Sequence, residues 1–239
     1  MIVESCCTTL EEALAAQQRG ADRIELCADL AVGGVTPPRD LIKKVVDALT
    51  IPVNVLIRPS TREFSAGGIA SRRHATLSAS RVESPIDKAS EMNGFSFSDF
   101  VYDASDIVQM IDDIEFCKSV GAAGIVVGAL TPEGTIALAA MRRLVAAARP
   151  FPVTFHRAFD VCTQDPFVAL DQIISLGCTR LLTSGQAPTA WDGRGTLALL
   201  VRRAGPRLII LVGRGVNREN LPSLKKETGA VEFHGTRIP

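Results

Sequence analysis

Two triplets of the same form carry the most chemistry in this sequence: Glu4-Ser5-Cys6 and Glu25-Leu26-Cys27. Side chains two apart in a strand share a face, so each Glu points the same way as its Cys. If the two segments are neighbouring strands in aligned register, a strand spacing of about 4.8 Å brings both thiols within reach of one ion. Thiolates are soft ligands that favour Cu(I) over hard cations, which makes Cys6 and Cys27 the candidate metal ligands and Cu(I) the candidate ion. The plainer alternative is that both are small buried fillers, because free Cys is among the most buried residue types.

Other polar residues stand where apolar runs end. Arg58-Pro59 closes one run, and Phe155-His156-Arg157-Ala158-Phe159-Asp160 closes another. An Arg and a His directed into a site with Glu4 and Glu25 would supply charge partners and a group that titrates near neutral pH. Glu25 or Glu4 with His156 would then form a general acid–base pair on a bound substrate, so the alternative function is a barrel enzyme acting on a small metabolite, phosphorylated or not, with Glu25, His156 and Arg58 as catalytic candidates. Mutual neutralisation of Glu25 and Arg58 is the structural alternative. The candidate pocket comprises Glu4, Glu25, Arg58, His156, Arg157, Asp160, Ser184 and His234. Gly213-Arg214-Gly215 is a Gly-rich turn of the kind that exposes backbone N–H groups, so Gly213 and Gly215 are candidate anion-binding positions. The alternative is a tight turn that needs Gly for backbone reasons.

Positioning these residues falls to short runs rich in Val, Ile and Leu, each followed by a helical pattern. Strands are expected at 2–5, 23–26, 53–58, 124–127, 153–156, 180–183, 208–212 and 231–233. Eight parallel strands alternating with helices predict an α/β fold, a TIM-type (β/α)8 barrel, with 1–239 as a single domain. In such barrels sites form at the C-terminal strand ends, where the polar residues above lie. Thr9-Leu10-Glu11-Glu12 reads as a capping box, and Gly20, Gly121 and Gly177 mark helix ends before strands two, four and six.

Two places break the pattern. From 60 to about 98 the sequence is rich in Ser and Arg without usable periodicity, and 63–98 is expected to be a flexible insertion after strand three. The sequence also stops at Pro239, just after strand eight, so a shortened C-terminus without a closing eighth helix is expected.

The 26 basic and 26 acidic residues cancel, and no Lys/Arg run marks a nucleic-acid or anionic-membrane surface. A copper ion or a small-molecule ligand is the expected partner, with neither nucleic acid nor membrane. The longest apolar stretches fall far short of the roughly 18–20 residues that span a bilayer. The first residues lack signal-peptide character, so a cytoplasmic location is expected. Six cysteines, Cys6, Cys7, Cys27, Cys117, Cys162 and Cys178, show no C-x-x-C spacing and read as reduced thiols. Cys117 and Cys178 sit at packing positions, and Cys162 follows Asp160 in a mouth loop.

Several segments in order resemble one family. They are Ala21-Asp22-Arg23-Ile24-Glu25-Leu26-Cys27, Gly33-Gly34-Val35-Thr36-Pro37, Ile57-Arg58-Pro59, Leu130-Thr131-Pro132-Glu133-Gly134-Thr135, Thr154-Phe155-His156-Arg157-Ala158-Phe159-Asp160, Leu182-Thr183-Ser184-Gly185-Gln186 and Glu232-Phe233-His234-Gly235. Together these resemble the CutC family of copper homeostasis proteins over nearly the whole chain. The resemblance implies a TIM-type barrel, a cytoplasmic homo-oligomer, and a role in copper tolerance and trafficking, with Cys6 and Cys27 as copper ligands. Three features depart from the family pattern. The insertion separates Arg58-Pro59 from Asp99-Phe100-Val101-Tyr102, Arg214 stands where a small residue is usual, and the sequence stops soon after strand eight.

Overall fold

Strands buried on both faces must be apolar nearly throughout, and the Val/Ile/Leu runs of this chain meet that demand. The computed structural model describes residues 1–59, 96–236 and 238–239. Within them lie strands β1 Ile2–Cys7, β2 Arg23–Leu26, β3 Val53–Leu56, β4 Gly124–Val127, β5 Val153–Phe155, β6 Arg180–Thr183, β7 Ile209–Val212 and β8 Glu232–Gly235. Every neighbouring pair is parallel, and β8 returns to β1 to close an eight-stranded barrel.

Helices α1 Leu10–Gln18, α2 Arg39–Ala48, α3 Ala104–Ser119, α4 Leu138–Ala148, α5 Pro166–Ser175, α6 Arg194–Ala204 and α7 Leu221–Thr228 connect successive strands. Each turns an apolar stripe inward. In α3 the buried residues Ile107, Met110, Ile114 and Cys117 recur at spacings of three and four, the period of one helix face. No helix follows β8 among the described residues. Of the span 63–98, residues 63–95 lie outside the described residues. Its end is regular: Ser96 caps a 3-10 turn at Phe97–Phe100.

Local signals acted with small shifts. Thr9 accepts from the Glu12 amide as expected, but Glu12 returns its carboxylate to the Thr8 amide and hydroxyl rather than to Thr9. β1 runs two residues further than its sequence pattern and β3 stops two residues short of Arg58. Cys6 therefore lies inside a strand, while Arg58 and His156 lie just beyond strand ends.

Two apolar layers result. The larger fills the space between sheet and helices, and a small one of Cys6, Cys27, Leu56 and Val126 plugs the barrel interior. Below that plug the interior is ionic. Arg23 bonds Glu4 through Nε and Glu232 through Nη2 (2.7 Å), Arg180 bonds Glu232 (2.8 Å), and Asn54 donates to Glu4 (3.1 Å). Two guanidiniums face two carboxylates, so the buried charges balance, as burial of charge demands. A Cβ at Gly124 would lie 2.5 Å from Asn54 Oδ1, so glycine there admits the Asn54 side chain.

Candidate functional site

Above the apolar plug the C-terminal strand ends enclose a cavity of about 600 Å³. Its walls include Cys6, Glu25, Cys27, Arg58, Phe100, His156, Arg157, Arg214 and His234. The two thiols meet there, with Cys6 Sγ 3.5 Å from Cys27 Sγ. The register that brings them together is not the aligned one. Cys6 pairs with Glu25, two positions off the triplet-to-triplet alignment, and the Cys27 amide bonds the Cys7 carbonyl. Strands in a closed barrel are staggered by its shear, so the thiols meet diagonally and Glu25 stands level with Cys6.

Glu25 is bound by His234 Nε2 of β8, a partner 209 residues away. Burial opposes charge on both groups, but the opposite charge and the shared hydrogen bond prevail. Glu25 is held below the ordinary carboxylate range and His234 above the ordinary imidazole range. One atom each from Cys6, Glu25 and His234 lies within 4.8 Å of the others, a spacing that suits metal ligands. The hydrogen bond to Cys27, then burial and the Glu25 charge, raise the Cys6 thiol well above its ordinary value. Cys6 is therefore protonated at neutral pH, and a metal must displace that proton.

His156 caps the 3-10 turn Arg157–Val161, its Nδ1 accepting from the Ala158 amide at 3.1 Å. That bond fixes the proton on Nε2, which is buried with no hydrogen-bond partner among the described residues. Burial and the neighbouring Arg58 charge push His156 down to about 3, so the ring is neutral. A Cβ at Gly128 would lie 2.5 Å from Nδ1, and Phe100 leans against the ring at a centroid separation of 5.0 Å. The imidazole bonded to Glu25 is His234, while His156, the expected acid–base partner of Glu25 or Glu4, lines the same cavity as Glu25.

Arg58 turns its Nη1 to the carbonyls of Val32 (2.9 Å) and Gly34 (2.8 Å) and lies 5.0 Å over the Phe100 ring. It braces the loop after β2 and forms part of the cavity wall. Three expected pocket residues sit elsewhere. Glu4 belongs to the ionic layer below the plug. Asp160 accepts from Arg157, Thr183, the Ser184 amide and hydroxyl, and the Gln186 amide, tying the turn after β5 to the loop after β6. Ser184 serves the same tie and is fully buried. At the Gly-rich turn, the Gly213 amide is taken by the Thr183 carbonyl and cannot hold an anion, whereas Gly215 lines the cavity.

Phe100 and the Glu25–His234 pairing were not visible as a site in the residue pattern. Phe100 lay within the family-like segment Asp99-Phe100-Val101-Tyr102, and the pairing spans nearly the whole chain. Of the remaining cysteines, burial pushes Cys7 and Cys162 up to about 11 and Cys117 and Cys178 up to about 12. All four are thiols at neutral pH.

The CutC family model matches residues 1–67 and 66–239. The chain belongs to the CutC family. The CutC of Histophilus somni is 42% identical over 234 residues, covering 98% of this chain and 81% of the relative. The CutC of Pasteurella multocida is 40% identical with the same coverage. The solved CutC of Streptococcus agalactiae, whose name assigns it to copper homeostasis, superposes with a TM-score of 0.80 at 30% identity, covering the whole of both chains. The TIM-type barrel is thus shared with a solved CutC. Among the described residues, no helix is long and apolar enough to cross a membrane.

Proposed function

We propose that this CutC family member is a copper homeostasis protein that carries Cu(I) on Cys6 and Cys27. The observation behind this reading is the thiol pair, 3.5 Å apart on the wall of the barrel-mouth cavity. Soft sulfur ligands select a soft monovalent ion, and the surrounding low-dielectric plug disfavours hydrated hard cations. Glu25 and His234 stand beside Cys6, where they complete the polar surroundings of the bound ion. The copper role in the name of the Streptococcus agalactiae relative supports the same reading. The reading includes a cytoplasmic homo-oligomer with no nucleic-acid or membrane partner.

Anaerobic Cu(I) titration against a competing chelator tests it on the wild-type chain, Cys6→Ser and Cys27→Ser. Loss of affinity in each variant by at least about tenfold is expected, since each removes one of two thiolates. Unchanged affinity in both would overturn the thiol site.

A further inference from the structure

Cys6, Glu25 and His234 come from three neighbouring strands, β1, β2 and β8, and meet at the barrel mouth. Cys6 pairs directly with Glu25 in the sheet, and Glu4, two residues before Cys6 on the same face, pairs with His234. One donor atom of each lies within 4.8 Å of the other two, and all three residues are 9% exposed or less. Strand positions hold such a set more rigidly than loops do. Among the described residues no fourth His, Cys, Asp or Glu joins the cluster, and Cys27, though 3.5 Å from Cys6, stands outside it.

The cluster differs from the thiol pair in chemistry. One sulfur, one nitrogen and one oxygen form a borderline donor set, too soft for Mg²⁺ or Ca²⁺, which take oxygen, and suited to Zn²⁺. A thiolate and a carboxylate cancel the two charges of that ion, so the filled site is neutral, as burial demands. A tetrahedral Zn²⁺ with bonds of about 2.0–2.3 Å holds its donors roughly 3.3–3.8 Å apart. Donors already within 4.8 Å reach that spacing by small side-chain movements. The bond between His234 Nε2 and Glu25 opens, and the ion takes the place of the proton between them. Glu4 Oε1 lies 4.0 Å from His234 Nε2 and sets a further carboxylate behind the ion. On the other side all three residues line the cavity of about 600 Å³. Three protein donors with a fourth position left to a small molecule is the arrangement of zinc that acts on a ligand rather than zinc that holds a fold.

From these observations we infer that Cys6, Glu25 and His234 form a Zn²⁺ site whose fourth position opens to the cavity. The inference does not rest on the copper reading, since it needs neither Cys27 nor a soft ion. Because Cys6 serves both sites, Zn²⁺ and Cu(I) exclude each other on one chain.

The test is titration of the reduced, metal-free full chain with Zn²⁺ against a competing chelator, with Co²⁺ as a spectroscopic stand-in. The Co²⁺ form is expected to show thiolate-to-metal charge transfer, lost in Cys6→Ser, and the intense visible bands of a four-coordinate ion. Azide should shift those bands by taking the open position. Cys6→Ser, Glu25→Gln and His234→Gln are each expected to weaken Zn²⁺ by at least about tenfold. Cys27→Ser is expected to keep Zn²⁺ affinity within about threefold while losing Cu(I). The wild-type Co²⁺ spectrum decides even where a variant loses its fold. No Zn²⁺ binding at micromolar concentration, a Co²⁺ spectrum without charge transfer, bands unmoved by azide, or wild-type Zn²⁺ affinity in folded Glu25→Gln and His234→Gln would each overturn the inference. A Cys27→Ser variant that loses Zn²⁺ as fully as Cys6→Ser would do so as well, by placing the ion on the thiol pair. Zn²⁺ binding as expected with Cu(I) affinity unchanged in Cys6→Ser and Cys27→Ser would overturn the copper reading alone.

Discussion

His234 of β8 bonds Glu25 of β2 across the barrel mouth, joining the two ends of the chain in one buried ion pair. The pair makes stability depend on pH in a defined direction. His234, raised above its ordinary 6.5, contributes stability that is complete below pH 6.5 and lost as pH rises through its folded value. Glu25, lowered below 4.5, contributes stability that is complete above pH 4.5 and lost as pH falls through its folded value. The stabilisation from the pair is thus greatest between pH 4.5 and 6.5. Urea denaturation of wild type and Glu25→Gln/His234→Gln across pH is expected to show the largest difference inside that window. A difference independent of pH would contradict the assignment.

The ionic layer makes a separate prediction. Glu232 receives both Arg23 and Arg180, so Glu232→Gln leaves buried Arg23 with Glu4 alone and strips half-buried Arg180 of its Glu232 partner. Breaking such a network costs about 3–5 kcal/mol. Chemical denaturation should show a loss of that order, with Cu(I) affinity in the folded fraction unchanged.

Gly128 is expected to act through His156. A methyl group at Gly128 would press on the imidazole at 2.5 Å and break its bond to the Ala158 amide. Gly128→Ala should cost about 1–3 kcal/mol, the range for overpacking. Nitrogen NMR of the wild type should show a single Nε2–H tautomer of His156 from neutral pH down to about pH 4, since its pKa is about 3. In the variant that signal should broaden or change tautomer.

Copper binding should release protons. Because Cys6 is a thiol at neutral pH, its coordination exchanges a proton for the metal. Apparent Cu(I) affinity is expected to rise with pH by at least about tenfold per unit between pH 6 and 8. Titration in buffers of different ionisation enthalpy would count the protons.

The barrel was legible because parallel strands buried on both faces demand near-continuous Val, Ile and Leu, and the runs in β4 and β7 supply them. The E-x-C triplets were legible as a site because chemistry-bearing residues two apart share a face. Register was not: the two-residue offset of Cys6 against Glu25 follows from closure of the whole barrel, which no local pattern encodes. The same limit hid the pairing of Glu25 with His234 and placed Glu4 among pocket residues rather than beneath them. Asp160 read as a mouth acid because it follows a strand end. Among the described residues its donors come from its own turn, the end of β6 and the loop after it, contacts that exist only once β5 and β6 lie side by side.

X-ray absorption at the copper edge of the reduced, Cu(I)-loaded chain is the most direct measurement of the central claim. Two sulfur scatterers per copper are expected in the wild type and at most one in Cys27→Ser. A wild-type spectrum with nitrogen and oxygen scatterers alone, or one unchanged by Cys27→Ser, would contradict a thiolate site formed by Cys6 and Cys27.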